Sequence, residues 1–266
     1  MIKLIAMDLD DTLLNDEGCI SEENKEAVRR AVAQGVKVTL ATGRMAFSAR
    51  KHARELCLDV PIITYNGALI EQAGNAEIIY RKVIPPALGA EIVRRLYPKE
   101  IHTQVFIKDN VYTYRANQHS EAYEKMTGIR IITTDLVALL ENEPEGADKI
   151  QCIGEEHALM TATEEVSRLY ADRLHFTTSR AHYMDIIEKS VNKGNALKVL
   201  AEQLGILPEE VMAIGDNHND MEMICYAGTG VAMGNALEEL KEIADYVTLS
   251  NQENGVAHAI ERFALK

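Results

Sequence analysis

Both ends of the chain alternate short apolar runs with segments of helical periodicity, and the middle breaks that alternation. The run Ile2-Lys3-Leu4-Ile5-Ala6-Met7 has the length and apolar content of a buried strand. Beyond it, Ser21 is an N-cap, Glu22 and Glu23 stand in the first turn, and Gly35 stops the helix. Ala27, Val28, Ala31 and Val32 form the apolar face of that helix. A second strand, Val36 to Leu40, leads through Ala41-Thr42-Gly43-Arg44 into a helix over Met45 to Leu56. A third strand, Pro61 to Tyr65, ends at Asn66-Gly67, and βα alternation returns after Lys193 with a strand over Val211 to Ile214. Strands separated by helices predict βαβ units and a parallel sheet.

The interruption is read from two hairpins. Val105-Phe106-Ile107 and Val111-Tyr112-Thr113 flank the turn Lys108-Asp109-Asn110. Ser179-Arg180-Ala181-His182 likewise separates His175-Phe176-Thr177 from Met184-Asp185-Ile186-Ile187. Hairpins pair antiparallel, so residues 84–187 are expected to form an inserted α+β unit. Residues 1–83 and 188–266 then make a Rossmann-like parallel-sheet core from both chain ends. A length of 266 residues suits one large or two modest domains.

Composition narrows the function. A formal net charge of −13 argues against nonspecific binding to nucleic acid or an anionic membrane. Cys19, Cys57, Cys152 and Cys225 are far apart and suggest neither a disulfide framework nor a zinc site. No apolar stretch approaches the roughly 20 residues of a membrane span, and no leader-like segment opens the chain. Cytoplasmic residence is the expectation.

Chemistry concentrates at the strand ends, where open α/β sheets place their sites. Asp8 and Asp10 follow the first strand in Asp8-Leu9-Asp10-Asp11-Thr12. Two carboxylates that close repel each other unless a cation or donor joins them. Thr42-Gly43 follows the second strand, where a hydroxyl beside a glycine can hold an anion's oxygens; a plain turn is the simpler explanation. Lys193 opens a helix, the end where the dipole disfavours a cation by about 0.3–1 kcal/mol. Read alone, it is a solvated surface lysine. Gly215-Asp216-Asn217-His218-Asn219-Asp220 follows the strand over Val211 to Ile214 and offers several oxygens to a hard cation. Helix capping accounts for one of these residues but not for all four Asp and Asn side chains. His218 alone is no metal signature. Gly228-Thr229-Gly230 with Gly234 misses the dinucleotide fingerprint in spacing and precedes the strand Val231-Ala232-Met233 instead of following one.

One explanation joins these pieces: Asp8, Asp10 and Asp216 share a Mg²⁺, while Thr42 and Lys193 contact a phosphoryl group. The sequence resembles the haloacid dehalogenase superfamily of phosphohydrolases, and within it the Cof-like hydrolases with a large α/β cap. DLDDT, ATGR, NKG and GDNHND occur in the family's order, joined by Tyr65-Asn66-Gly67-Ala68 and Asn254-Gly255-Val256-Ala257. The resemblance implies Asp8 as nucleophile, Asp10 as general acid/base, and Thr42 and Lys193 on the phosphoryl group. It also implies that Asp8, the Asp10 backbone carbonyl and Asp216 hold Mg²⁺, with Asn219 and Asp220 in support. Gly43, Arg44, Asn66 and Asn219 join the substrate-binding set. The family commonly has Gly at the position of Asp11; if that position needs a positive φ, Asp tolerates it better than most residues.

The expected activity is Mg²⁺-dependent hydrolysis of a small phosphorylated metabolite through an aspartyl-phosphate. A sugar phosphate is favoured, with pyridoxal phosphate or a flavin nucleotide behind it. By the resemblance the cap covers the site and reads the leaving group. Arg180 and His182 are cap readers or simply an exposed hairpin tip. Two rivals use the same first carboxylate: a phosphosugar mutase, and a non-enzymatic phospho-accepting signalling domain, which would leave Asp10 without an acid role.

Overall fold

The computed structural model describes the chain except for Glu100, Ala181 and Lys266 and the side chains of Ser179 and Arg180. Its leading segment runs β1 (Leu4–Met7), α1 (Glu22–Ala33), β2 (Lys37–Leu40), α2 (Ala46–Glu55), β3 (Pro61–Thr64), β4 (Leu69–Gln72) and β5 (Ile78–Arg81). The middle contains α3 (Pro86–Leu96), β6 (His102–Ile107), β7 (Asn110–Thr113), α4 (Gln118–Thr127), β8 (Ile131–Thr133) and α5 (Leu136–Asn142). It continues with β9 (Lys149–Ile153), α6 (Glu156–Tyr170), β10 (Leu174–Arg180) and β11 (Tyr183–Glu188). The returning segment holds α7 (Lys193–Leu204), β12 (Val211–Gly215), α8 (Met221–Tyr226), β13 (Thr229–Ala232), α9 (Glu238–Ile243), β14 (Tyr246–Val247) and α10 (Gly255–Phe263).

Two compact units result, one of residues 1–80 with 192–266 and one of residues 81–191. The first is a Rossmann-like α/β layer. Its five-stranded sheet runs β14-β13-β12-β1-β2, with every pair parallel. A parallel bridge from Ala41 to Ile63 continues it toward β3, which pairs antiparallel with β4. The strands of the central sheet are apolar because helices cover both faces of a parallel sheet; β1 and β12 are buried along their whole length. Ser21 caps α1 by accepting the Asn24 N–H at 3.2 Å.

The predicted α1 face needs one correction. Val32 is 38% exposed, and the buried stripe is Asn24, Ala27, Val28 and Ala31. Asn24 belongs to it because its amide oxygen accepts the Ala257 N–H of α10 at 2.9 Å. The stripe therefore starts one turn earlier and leaves Val32 at its edge. β13 likewise starts before the expected Val231, since Thr229 and Gly230 pair in register with Met212 and Ala213.

The second unit carries a six-stranded sheet in the order β10-β11-β9-β6-β7-β8. All its pairs are antiparallel except β7 with β8. Both expected hairpins form: Ile107 pairs with Asn110 across Lys108-Asp109, and β10 pairs with β11. Its own core joins Ile84, Ile92 and Leu96 to Val105, Ile150 and Ile186.

Candidate active site

Parallel register decides which loops meet. Met7 stands opposite Leu40 on one side and Ile214 on the other, so β1, β2 and β12 end level. The next residues extend the ladder: Asp8 N–H donates to Ile214 O at 3.0 Å, and Ala41 N–H donates to Met7 O at 2.8 Å. Asp8, Thr42 and Asp216 thereby leave neighbouring strands at the same carboxyl edge. Asp11 then turns the chain with φ +59°, the left-handed conformation that Asp tolerates, and its carbonyl accepts from Asn235 Nδ2 at 2.8 Å.

Lys193 contradicts the surface reading. Its side chain is 0% exposed, and Nζ donates to Asp8 Oδ1 at 2.5 Å and to Asp220 Oδ1 at 2.6 Å. Charge-assisted hydrogen bonds contribute about 1.5–3 kcal/mol each, more than the roughly 0.3–1 kcal/mol the helix dipole costs. The carboxylates win. Burial would lower the lysine's pKa, but Asp220 and Asp8 overcompensate and hold it above the ordinary value. Asp220 is held in turn, since its Oδ2 accepts the N–H groups of Asp216 at 2.9 Å and Asn217 at 3.1 Å. The lysine's own backbone is placed by Asn192, which caps α7 by accepting the Asn195 N–H at 2.6 Å. Gly67 packs on that cap: its φ is +100°, and a Cβ there would lie 2.4 Å from Asn192 O.

Asp216 completes the cluster. Oxygens of Asp8, Asp216 and Asp220 all lie within 4.8 Å of one another, and Thr12 Oγ1 donates to Asp216 Oδ1 at 2.7 Å. Three buried carboxylates thus face one ammonium. Burial first, then Asp220 and Asp8, pushes Asp216 up to about 9. Burial, against the pull of Lys193 and with the repulsion of Asp220 and Asp10, pushes Asp8 up to about 7. The excess negative charge needs protons or a further cation, and an all-oxygen donor set suits a hard divalent ion. Among the described residues, Asp8, Asp216 and Asp220 form the group of acidic side chains close enough for this.

The sign of the pH effect follows. Carboxyls with raised pKa values bind more protons folded than unfolded, so the metal-free protein should lose stability as pH rises from about 4 toward about 9. A divalent cation held by these carboxylates would compete with those protons, so the rise in thermal midpoint on adding Mg²⁺ should be larger at pH 8 than at pH 6. Thermal unfolding at both pH values, with Mg²⁺ and with EDTA, measures it. Equal shifts at the two pH values would contradict this charge balance.

The other predicted site residues divide. Asp10's carboxylate does not join the cluster; both oxygens accept from Arg44, whose Nε and Nη2 lie at 2.8 Å. Thr42 is buried, and its hydroxyl oxygen accepts the Arg44 N–H at 3.1 Å. Its carbonyl accepts the Asn66 N–H at 3.0 Å, and Asn66 Oδ1 accepts from Asn219 Nδ2 at 3.0 Å. Gly43 lets the backbone pass that amide, because a Cβ there would come within 2.8 Å of Asn66 Oδ1. Asn217 is the capping member of its loop, and its Oδ1 accepts the His218 N–H at 2.8 Å. His218 is exposed, as is His182. The Arg180 side chain and Ala181 lie outside the described residues. Sequence reasoning passed over Thr12, although it closes the DLDDT motif, and Ser48 and His52, whose spacings of four and eight from Arg44 were the available signal.

A family model described as haloacid dehalogenase-like hydrolase matches residues 5–260. The chain belongs to that family. This hydrolase is 35% identical over 284 aligned residues, covering 98% of each chain, to 5-amino-6-(5-phospho-D-ribitylamino)uracil phosphatase YwtE of Bacillus subtilis strain 168. Its fold superposes on that of a haloacid dehalogenase-like hydrolase from Bacteroides thetaiotaomicron with a TM-score of 0.88, at 31% identity over 98% of this chain and 99% of the other. It also matches the subclass IIB sugar phosphatase BT4131 with a TM-score of 0.85, at 25% identity over 98% of both chains. The parallel-sheet unit is the fold's core and the inserted α+β unit its cap. No helix among the described residues is long and apolar enough to cross a membrane.

Proposed function

We propose that this hydrolase is a Mg²⁺-dependent phosphatase of a small phosphorylated metabolite, with a sugar phosphate or a similar polyol phosphate favoured. The observation that carries the reading is the buried Asp8–Lys193–Asp220 contact beside Asp216, at 2.5 and 2.6 Å around one ammonium. A structural ion pair needs one carboxylate per cation; this cluster has three. The surplus carboxylates are what the ligand set of a divalent metal and an anionic nucleophile require. Relatives named for a phosphoribitylamino compound and for sugar phosphates support the substrate class.

In this reading Asp8 attacks phosphorus, and the bond from phosphorus to the leaving oxygen breaks with its electron pair going to that oxygen. Asp10 supplies the proton the leaving oxygen takes up. Water then attacks the aspartyl-phosphate and gives a proton to Asp10, and inorganic phosphate leaves Asp8 as a carboxylate. The Thr42 hydroxyl and the Lys193 ammonium orient the phosphoryl oxygens, and Asp220 keeps Lys193 aimed at Asp8. Asp8, the Asp10 carbonyl and Asp216 would hold Mg²⁺, with Asn219 and Asp220 in support; when bound, it supplies positive charge against the oxygens of the transferring group. Gly43, Asn66 and Asn219 shape the rest of the phosphate pocket.

Phosphate release from p-nitrophenyl phosphate and from a panel of phosphorylated metabolites tests the proposal. Turnover should require Mg²⁺, vanish in EDTA and return on adding Mg²⁺ in excess. Wild-type protein that turns over none of these substrates with Mg²⁺ present would overturn the phosphatase reading, and transfer to a sugar without net phosphate release would indicate a mutase.

A further inference from the structure

Arg44 would be free to read a substrate only if its guanidinium were uncommitted, and it is not. Nε and Nη2 fork onto the two oxygens of Asp10, and Nη1 reaches His52 Nε2 at 3.1 Å and Ser48 Oγ at 3.4 Å. Arg44 precedes α2, and Ser48 and His52 follow it on successive turns of that helix, so one helix face presents both partners. His52 is only 6% exposed. A guanidinium has donors and no acceptor, so Nε2 of His52 must be the unprotonated nitrogen and the ring must be neutral, with its proton on Nδ1. Glu55 Oε2 stands 3.8 Å from Nδ1, too far for a hydrogen bond but on the side that favours this tautomer. Burial, then the Arg44 charge, lowers the His52 pKa and keeps the ring neutral.

The fork alone is a weak restraint. The side chains of Arg44 and Asp10 are 26% and 29% exposed, and partly solvated ion pairs contribute about 0–1 kcal/mol. A buried acceptor on the third nitrogen changes that, because it fixes the guanidinium plane from the protein side. We propose that His52 is a positioning residue for the phosphatase reaction: its bare Nε2 holds Arg44, and Arg44 holds the Asp10 carboxyl where it exchanges a proton with the leaving oxygen. This deepens the function proposed above and rests on it. Proton transfer needs heavy atoms within about 2.6–3.2 Å, and a misplacement of about 1 Å can cost on the order of 10²-fold.

Leaving-group dependence separates positioning from mere structural support. An alkyl phosphate needs its leaving oxygen protonated, whereas p-nitrophenolate leaves without help. His52→Leu should lower kcat/KM for an alkyl phosphate by about 10-fold or more while changing kcat/KM for p-nitrophenyl phosphate by less than about 2-fold. His52→Gln, whose Oε1 can accept from Arg44, should restore most of the alkyl activity. His52→Asn, whose shorter side chain withdraws the acceptor from Arg44, should reproduce the split and serves if His52→Leu does not fold. Equal losses on both substrates, or an unchanged alkyl rate, would overturn the positioning role. Wild-type protein inactive on both would overturn the phosphatase reading instead.

Discussion

Asp8→Asn protein should fold and still lose phosphate release by about 10⁴-fold or more, the scale seen when a nucleophile is removed. The carboxamide is nearly isosteric, and its oxygen can still accept from Lys193 Nζ, which lies 2.5 Å from Asp8 Oδ1. What it lacks is the negative oxygen that, in the proposed mechanism, attacks phosphorus. The fold should gain from the exchange. Burial and the facing carboxylates push Asp8 up to about 7, so an ionised Asp8 costs stability above its unfolded value. The metal-free variant should therefore unfold at an equal or higher temperature than wild type at pH 8. Turnover and thermal unfolding on one preparation make the check. Substantial residual turnover would place the nucleophile elsewhere.

Lys193→Met should harm both fold and activity. The substitution keeps the length of the stem but leaves Asp8 and Asp220 facing each other with no ammonium between them, in a slot with 0% exposure. Removing one partner of a buried ion pair costs about 3–5 kcal/mol, and loss of a cation on a transferring phosphoryl group costs about 10³-fold or more in rate. Mg²⁺ should recover part of the stability by neutralising Asp8 and Asp216, and little of the rate. Lys193→Arg should not rescue, because a planar guanidinium is larger than the space an ammonium fills. Denaturant unfolding with and without Mg²⁺, paired with turnover, measures each half. A variant as stable as wild type would show that Lys193 does not balance this cluster.

Much of this site was legible because each motif is local. A strand followed at once by acids, a Thr-Gly turn or an Asp/Asn loop is a feature of adjacent residues, and parallel register then sets those ends side by side. The environment of Lys193 was not legible: the helix dipole is a local effect, while the carboxylates that outweigh it come from other loops. The Arg44 commitment was hidden for the same reason, since Asp10 lies 34 positions away. His52 was recoverable in principle from its helical spacing. Its protonation state was not, because that depends on which atom points at Nε2. The edge position of Val32 shows the converse limit, where an apolar pattern is one residue wider than the surface it meets.

The span of the site along the chain has a consequence for how the protein is made. Lys193 reaches Asp8 across 185 positions and Thr12 reaches Asp216 across 204. At about 5–20 residues per second, β1 waits roughly 10–40 s on the ribosome for β12, its partner on the side away from β2. The unit of residues 81–191 is contiguous and has its own core, so it can fold inside that interval. The nascent chain thus carries a finished domain behind the first half of an unfinished one, and β1, apolar on both faces, still lacks its β12 partner throughout the wait.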